Sequence, residues 1–166
     1  MTKSKKPKGC VLASIPNVSN INGSGLRLVI WFQGCNHNCK NCHAPHTHDI
    51  NKGMFFSNEY IIGLIRHNID FMDGISISGG DPLLQPANLS QLLSDIKKEF
   101  PTLNIWLWTG YSFKYAEQHF PYILNKLDTL IDGTYIDELK TKHPHKGSSN
   151  QNVWNKKENT WGKENE

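Results

Sequence analysis

Three cysteines lie close together in this sequence, and their spacing, Cys35-x3-Cys39-x2-Cys42, is the feature with the clearest chemistry. In an intracellular chain, closely spaced cysteines indicate a metal or redox site rather than disulfides. Three thiolates from one short loop can hold three corners of an iron–sulfur cube, which leaves the fourth iron open to an exogenous ligand. By analogy with catalytic zinc, an open metal position is typical of a reactive site.

Two other interpretations fit the same loop. Zinc bound by the three cysteines and one nearby histidine is reasonable on ligand count, and the candidate histidines are His43, His46 and His48. Cys39 and Cys42 would also make a thioredoxin-like redox pair, although a third cysteine so near is superfluous there.

We expect simpler roles for the remaining cysteine and for the histidines around the loop. Cys10 stands apart from the other cysteines and is expected to be a small, buried apolar side chain. We expect His43, directly after Cys42, to line the pocket, whereas most of the neighbouring histidines are expected to be solvated.

A repeated unit positions the cysteine loop: a short apolar run, a polar or glycine-rich turn, and then a helical pattern. The apolar runs cover residues 28–32, 75–77, 103–108 and 130–131. Runs without strict alternation favour parallel strands that are covered on both faces. The turns that follow these runs contain the cysteine loop, Gly79-Gly80-Asp81, Thr109-Gly110 and Asp132-Gly133.

Helical patterns separate the predicted strands. Ser57 is a candidate cap for the first helix, the second ends at Pro101, and the third begins near Ser112. Strand–helix alternation predicts an α/β fold of right-handed βαβ units. Ligands in such folds bind at the carboxyl ends of the strands, so the four polar turns are expected to gather around one pocket.

Length and composition restrict the architecture. The 166 residues predict a single domain, too short for a complete (β/α)8 barrel. The longest purely apolar run, Leu28–Phe32, is too short to span a bilayer, and the net charge of +3 is too mild to indicate nucleic-acid binding. We expect a solvated basic tail at 1–8, one domain at 9–151 and a disordered polar tail at 152–166.

Several motifs together resemble one enzyme superfamily. The cysteine motif is the signature of the radical S-adenosylmethionine (SAM) superfamily, and the segments at 22–27 and 78–83 look like its activating enzymes. The segments at 130–136 and 147–151 are similar to the activating proteins of anaerobic ribonucleoside-triphosphate reductase. The resemblance covers roughly residues 9 to 151 in the same order.

This resemblance implies an open partial (β/α) barrel with a mainly parallel sheet and a set of cofactor contacts. Cys35, Cys39 and Cys42 would bind a 4Fe-4S cluster, and the methionyl amino and carboxylate groups of SAM would chelate its fourth iron. An aromatic residue is commonest in the superfamily where Asn41 stands. The SAM contacts implied are Asn41, Cys42, His43, Gly79, Gly80, Asp81, Thr109 and Asp132.

The implied activity is that of a cytoplasmic glycyl-radical activase, which cleaves SAM reductively and needs no side chain as a general base. Its partners would be anaerobic ribonucleoside-triphosphate reductase and a one-electron donor such as a flavodoxin, with neither a membrane nor a nucleic acid expected. A chain too short to close a barrel should leave the pocket open to a protein loop. The alternatives are a compact radical SAM enzyme for another glycyl-radical enzyme or a small molecule, of the deazaguanine-synthase type, and a zinc-binding interaction module.

Overall fold

The computed structural model describes residues 7–165, which form one mixed β-sheet with helices packed against it. Its strands are β1 (Gly9–Leu12), β2 (Asn17–Ser19), β3 (Arg27–Phe32), β4 (Met54–Ser57), β5 (Gly74–Gly79), β6 (Ile105–Trp108), β7 (Thr129–Asp132), β8 (Asn152–Lys157) and β9 (Thr160–Lys163). Its α-helices are α1 (Asn58–Asn68), α2 (Pro86–Glu99), α3 (Phe113–His119) and α4 (Pro121–Leu124).

The sheet has a parallel centre and antiparallel flanks. The strand order is β4-β1-β3-β5-β6-β7-β8-β9, and β2 pairs with β3. The central strands β3, β5, β6 and β7 are parallel and correspond to the predicted apolar runs. Within residues 7–165 the edge strands β4 and β9 do not pair with each other, so the sheet stays open. The predicted α/β class and the open, mainly parallel centre are therefore confirmed.

One face of the parallel strands is covered by helices. Ile30, Ile77, Leu107 and Leu130 are neighbours across the sheet and are fully buried there. Helix α1 begins where Ser57 Oγ accepts a hydrogen bond from Tyr60 N, and Ser112 caps α3 in the same way. Both predicted caps are confirmed, and each supplies an acceptor to an otherwise unpaired amide.

The opposite face of these strands is more polar and aromatic. Ser76, Trp106 and Thr129 follow one another across the sheet on this face. At its amino-terminal end lies Arg27, which is 2% exposed and donates to the carbonyl of Ile75 and the hydroxyl of Ser76. Burial lowers the pKa of Arg27 to about 10. The guanidinium satisfies buried acceptors at the end of the sheet opposite the polar turns.

The carboxy-terminal segment differs from its expectation. Residues 152–163 form the β8–β9 hairpin, and β8 extends the sheet by pairing with β7. Trp154 stacks on Phe113 of α3 at 4.3 Å between ring centroids, and Trp161 contacts the same ring edge-on. The prediction of a disordered polar tail was wrong here, because pairing with β7 and aromatic packing offset the polar composition.

Two further expectations concern the chain termini and membranes. The predicted basic tail falls mostly on residues 1–6, which lie outside the described residues, whereas Lys8 is exposed and its carbonyl accepts from Asn58 N. Between residues 7 and 165, no helix combines the length and the hydropathy needed to cross a bilayer.

Candidate functional site

The turns after the four parallel strands line one cavity of about 300 Å³. Residues from every one of these turns contribute to the lining, which confirms the predicted convergence of the polar turns. Its members from the turns are Cys35, His37, Cys39, Cys42, His43, Gly79, Gly80, Thr109, Gly110, Gly133 and Tyr135. The sheet face opposite the helices, here called the inner face, and residues 144–147 also line the cavity.

The cysteine loop is anchored by backbone and amide hydrogen bonds. Gly34 N donates to Thr47 O at 2.6 Å, and Cys35 N donates to His48 O at 3.0 Å. The buried side chain of Gln33 donates to the carbonyls of His46 and Asp49. These bonds join the start of the loop to the segment that follows it, so the thiols are held by a formed scaffold.

The three thiols face the same cavity and are free of disulfides. Burial raises the pKa of the Cys35 and Cys39 thiols, and the nearby backbone groups of His37 and Tyr135 partly oppose this increase. Ala44 N donates to Cys42 Sγ at 3.5 Å. Three thiols on one loop with N–H donors beside them fit three corners of a 4Fe-4S cluster.

Cys10 is excluded from this ligand set by its position. It is fully buried in the core on β1, and burial raises the pKa of its thiol to about 12. The expectation of a small buried side chain is confirmed. A fourth ligand for the cluster would therefore come from outside the cysteines.

The geometry does not support the interpretation of the loop as a zinc site. Across the part of the chain that the structure describes, no three side chains among cysteine, histidine, aspartate and glutamate are grouped to hold a single metal ion, and this includes the three cysteines. His43 lines the cavity, as expected, whereas His46 and His48 are outside its lining. The carbonyls of His46 and His48 instead anchor the loop.

Gly79 and Gly80 line the cavity, but their immediate neighbours are backbone atoms of the chain itself. Gly79 has φ +113°, and a Cβ there would meet the backbone of Phe32. A Cβ on Gly80 would meet Gly34 O, and Gly80 N donates to Phe32 O at 2.8 Å. Glycine is thus required for close packing of β5 against β3, a reason that the sequence alone did not reveal.

Asp81 lies beneath the lining and joins several turns. Its carboxylate, 1% exposed, accepts from Thr109 Oγ1 at 2.9 and 3.0 Å and from Gly110 N at 2.9 Å. His37 Nε2 lies 2.5 Å from an oxygen of the same carboxylate, within hydrogen-bonding distance. Thr109 lines the cavity, but its hydroxyl hydrogen is directed to Asp81. His37 is therefore a bonded side chain and is not among the histidines that are mainly solvated.

Asp132 also has a structural set of partners. Its carboxylate is buried and accepts from Phe113 N at 2.6 Å and from the backbone and side-chain nitrogens of Asn152. It is outside the cavity lining. The carboxylate thus joins the start of α3 to β8, and its predicted contact with SAM stays a prediction.

Asn41 is exposed and lies outside the cavity lining. Its φ of +54° is in the left-handed region, where asparagine is tolerated better than most residues. The side-chain amide donates to Asp137 Oδ2 at 2.6 Å. This asparagine therefore contacts the turn after β7 and does not line the cavity.

Sequence reasoning missed several residues of the cavity. Trp31 and Trp108 line it from the inner sheet face, and His145 and Tyr135 line it from loops. The alternation of side chains along β3 and β6 is a signal that would have placed both tryptophans on the face opposite the helices. The two loop residues carry no comparable signal, because long-range packing positions them.

Comparisons with known proteins agree with this geometry. Residues 21–154 match the family described as a 4Fe-4S single cluster domain. The anaerobic ribonucleoside-triphosphate reductase-activating protein of Enterobacteria phage T4 is 37% identical over 145 residues, covering 85% of this chain and 91% of that protein. The proteins of the same name from Vibrio cholerae and Escherichia coli K12 are 36% and 34% identical and cover 79% and 82% of this chain and 88% and 92% of their own lengths.

A solved structure supports the fold. The crystal structure of QueE from Escherichia coli aligns with a TM-score of 0.50 at 18% identity, covering 63% of this chain and 53% of that chain. This likeness concerns the fold alone and agrees with the predicted open barrel of the radical SAM type. Family membership rests on the match to the 4Fe-4S domain and on the relatives covered over most of their length: this protein belongs to the family of anaerobic ribonucleoside-triphosphate reductase-activating proteins.

Proposed function

We propose that this protein activates anaerobic ribonucleoside-triphosphate reductase by reductive cleavage of SAM. The observation that carries the proposal is the gathering of Cys35, Cys39 and Cys42 with Gly79 and Gly80 around one cavity at the strand ends. The family to which the chain belongs supports the same reductase as its target.

The side chains have limited tasks in this reaction. The three cysteines would hold three irons of the cluster, and the fourth iron would accept the amino and carboxylate groups of SAM beside Gly79 and Gly80. When bound, the cluster supplies one electron, which breaks a carbon–sulfur bond of the sulfonium to give methionine and a deoxyadenosyl radical. The deoxyadenosyl group so released would remove a hydrogen atom from a glycine of the reductase, which would give deoxyadenosine and a glycyl radical. The protein supplies coordination and orientation.

An open sheet suits a protein substrate. The edge strands β4 and β9 leave the sheet unclosed within the described chain, and Ile21 in the cavity wall is 78% exposed. The cavity therefore reaches the protein surface, where a loop of the reductase would enter. A one-electron donor such as a flavodoxin would reduce the cluster, and the cytoplasm is the proposed place of reaction.

Anaerobic reconstitution followed by an activation assay tests the proposal. We expect a brown protein with near-stoichiometric iron and sulfide that converts SAM to methionine and deoxyadenosine with a chemical reductant. Mixed with purified reductase, it should produce the electron paramagnetic resonance doublet of a glycyl radical. A colourless zinc protein would favour an interaction module, whereas SAM cleavage without a radical on this reductase would point to another glycyl-radical enzyme or a small-molecule substrate.

A further inference from the structure

Asn41 and Tyr135 share one carboxylate at the edge of the cavity. Asn41 Nδ2 donates to Asp137 Oδ2, and the Tyr135 hydroxyl donates to Asp137 Oδ1, both at 2.6 Å. The bond to Asp137 is the main reason that the pKa of Tyr135 rises to about 12. The asparagine of the cysteine loop thus fixes, through Asp137, the position of an aromatic ring from the turn after β7.

Tyr135 lies beside the cysteine loop. It lines the same cavity as Cys39 and Cys42. Gly147, which also lines the cavity, lies so close to the ring that a Cβ added there would be 3.1 Å from Tyr135 Cδ2. The ring is therefore held by the bond of its hydroxyl to Asp137 and by close contact with a glycine.

The other aromatic rings of the cavity have different positions. Trp31 and Trp108 belong to the sheet, and their indole N–H groups donate to Asn17 Oδ1 and to His145 O. His37 is bound to Asp81 and lies edge-on to Tyr111. Among these cavity rings, Tyr135 is the one that is linked through Asp137 to Asn41 of the cysteine loop.

We propose that Tyr135 provides the surface on which the adenine ring of SAM stacks, and that Asn41 is a positioning residue that orients this ring through Asp137. The inference rests on the proposed function, because it assumes that SAM binds with its methionyl end at the cluster. Adenine has a flat π-face, and stacking on an aromatic side chain stabilises a base whatever its hydrogen-bonding edge. Tyr135 thereby supplies an aromatic surface that Asn41 does not.

Ligand binding to the reconstituted holoprotein tests this assignment without turnover. The two probes are S-adenosylhomocysteine, which carries the adenosyl group, and methionine, which lacks it. Tyr135→Leu should weaken S-adenosylhomocysteine binding about tenfold and leave methionine binding unchanged. Tyr135→Phe keeps the ring and should stay within about threefold of the parent, since it loses one hydrogen bond. Tyr122→Leu, an exposed position on α4 outside the cavity, is the matched control and should bind both probes normally.

Asn41→Ala provides an independent variant at an exposed side chain. It should weaken S-adenosylhomocysteine binding about threefold with unchanged methionine binding, and with the iron content of the parent protein. This variant decides the matter if Tyr135→Leu fails to retain its cluster. A role confined to stability would change both probes together.

The outcomes separate this inference from the proposed function. Unchanged S-adenosylhomocysteine binding by Tyr135→Leu, or an equal loss for both probes, would overturn the stacking role while the proposed function stands. A parent holoprotein that binds neither probe would overturn the proposed function and this inference together.

Discussion

His37 of the cysteine loop is bound to Asp81, 44 residues further along the chain, with 2.5 Å between Nε2 and the carboxylate oxygen. The same carboxylate accepts from Thr109 and Gly110 at the end of β6. The turns after three parallel strands therefore share one buried acceptor. This arrangement fixes the cysteine loop relative to the glycines that precede Asp81.

Asp81→Asn should destabilise the protein and loosen this junction. An amide keeps one acceptor oxygen but turns a donor toward the groups that now bond the carboxylate. We expect the free energy of unfolding to fall by about 2–4 kcal/mol, because buried donors lose a charged partner. Urea denaturation followed by tryptophan fluorescence measures the change. Asp70→Asn, at an exposed position, is the control, and a similar loss for both variants would contradict the role of Asp81.

Cys42→Ala and Cys10→Ala should have opposite effects on the cluster. Cys42 lines the cavity, so its loss should abolish cluster binding and SAM cleavage together. Cys10 is a core residue, so its replacement should lower stability by about 1 kcal/mol and leave the iron content unchanged. Iron and sulfide analysis after anaerobic reconstitution checks both. Retained SAM cleavage by Cys42→Ala would refute the ligand assignment.

The stability of the apoprotein should fall above pH 9. Burial raises the pKa of Cys10 from 9.0 to about 12 in the folded state, whereas the unfolded thiol ionises near 9. The folded state thus binds more protons than the unfolded state between these values, and stability is lost as the pH rises through this window. The slope contributed by Cys10 approaches about 1.4 kcal/mol per pH unit. Urea titrations under reductant at pH 8, 9 and 10 should show this slope, and Cys10→Ala should reduce it.

Two glycine substitutions should change stability in opposite directions. Gly79→Ala places a Cβ against the backbone of Phe32 at φ +113°, so we expect a loss of about 2 kcal/mol or more and poor cluster retention. Gly63 lies within α1 with open space around its Cα, and Gly63→Ala should raise stability by about 0.5–1 kcal/mol. Thermal denaturation of both variants provides the comparison. A neutral Gly79→Ala would contradict the close packing of β5 on β3.

Trp154→Ala should show that the carboxy-terminal hairpin belongs to the folded domain. Trp154 packs on Phe113, and its removal should cost about 2–3 kcal/mol through lost burial and stacking. The exposed Phe71 is the matched control, and Phe71→Ala should change the free energy of unfolding by less than about 0.5 kcal/mol. Equal losses of the free energy of unfolding in the two variants would contradict the packing of this hairpin against the domain.

Local patterns in the sequence were sufficient to predict the parallel strands and two of the helix starts at the centre of the fold. Ser57 and Ser112 were recognisable caps, and the apolar runs gave the parallel strands, because both depend on neighbouring residues. The hairpin was missed because β8 is stabilised by β7, some 20 residues away, and its own composition is polar. Its inward contacts come from a few aromatic rings.

The residues of the candidate site also differ in whether they could be predicted from local sequence patterns. The convergence of the three cysteines, Gly79 and Gly80 on one cavity could be predicted, because each group follows a parallel strand directly along the chain. The structural role of Asp132 could not be predicted from the sequence. Its carboxylate accepts hydrogen bonds from Phe113 N and from Asn152, which are distant along the chain. Tyr135 was missed for the same reason, as only the folded turn brings it to the cysteines.

The hydrogen bonds of Gln33 bear on what happens when the protein is exposed to oxygen. Its amide holds the two carbonyls that follow the cysteine loop, and Gln85 donates in turn to the Gln33 carbonyl at 2.8 Å. The start of the loop is thus anchored by protein groups in addition to any cluster that its cysteines bind. We expect this anchoring to keep the start of the loop in place when oxygen destroys the cluster, so that fresh iron and sulfide could rebuild the site without complete refolding.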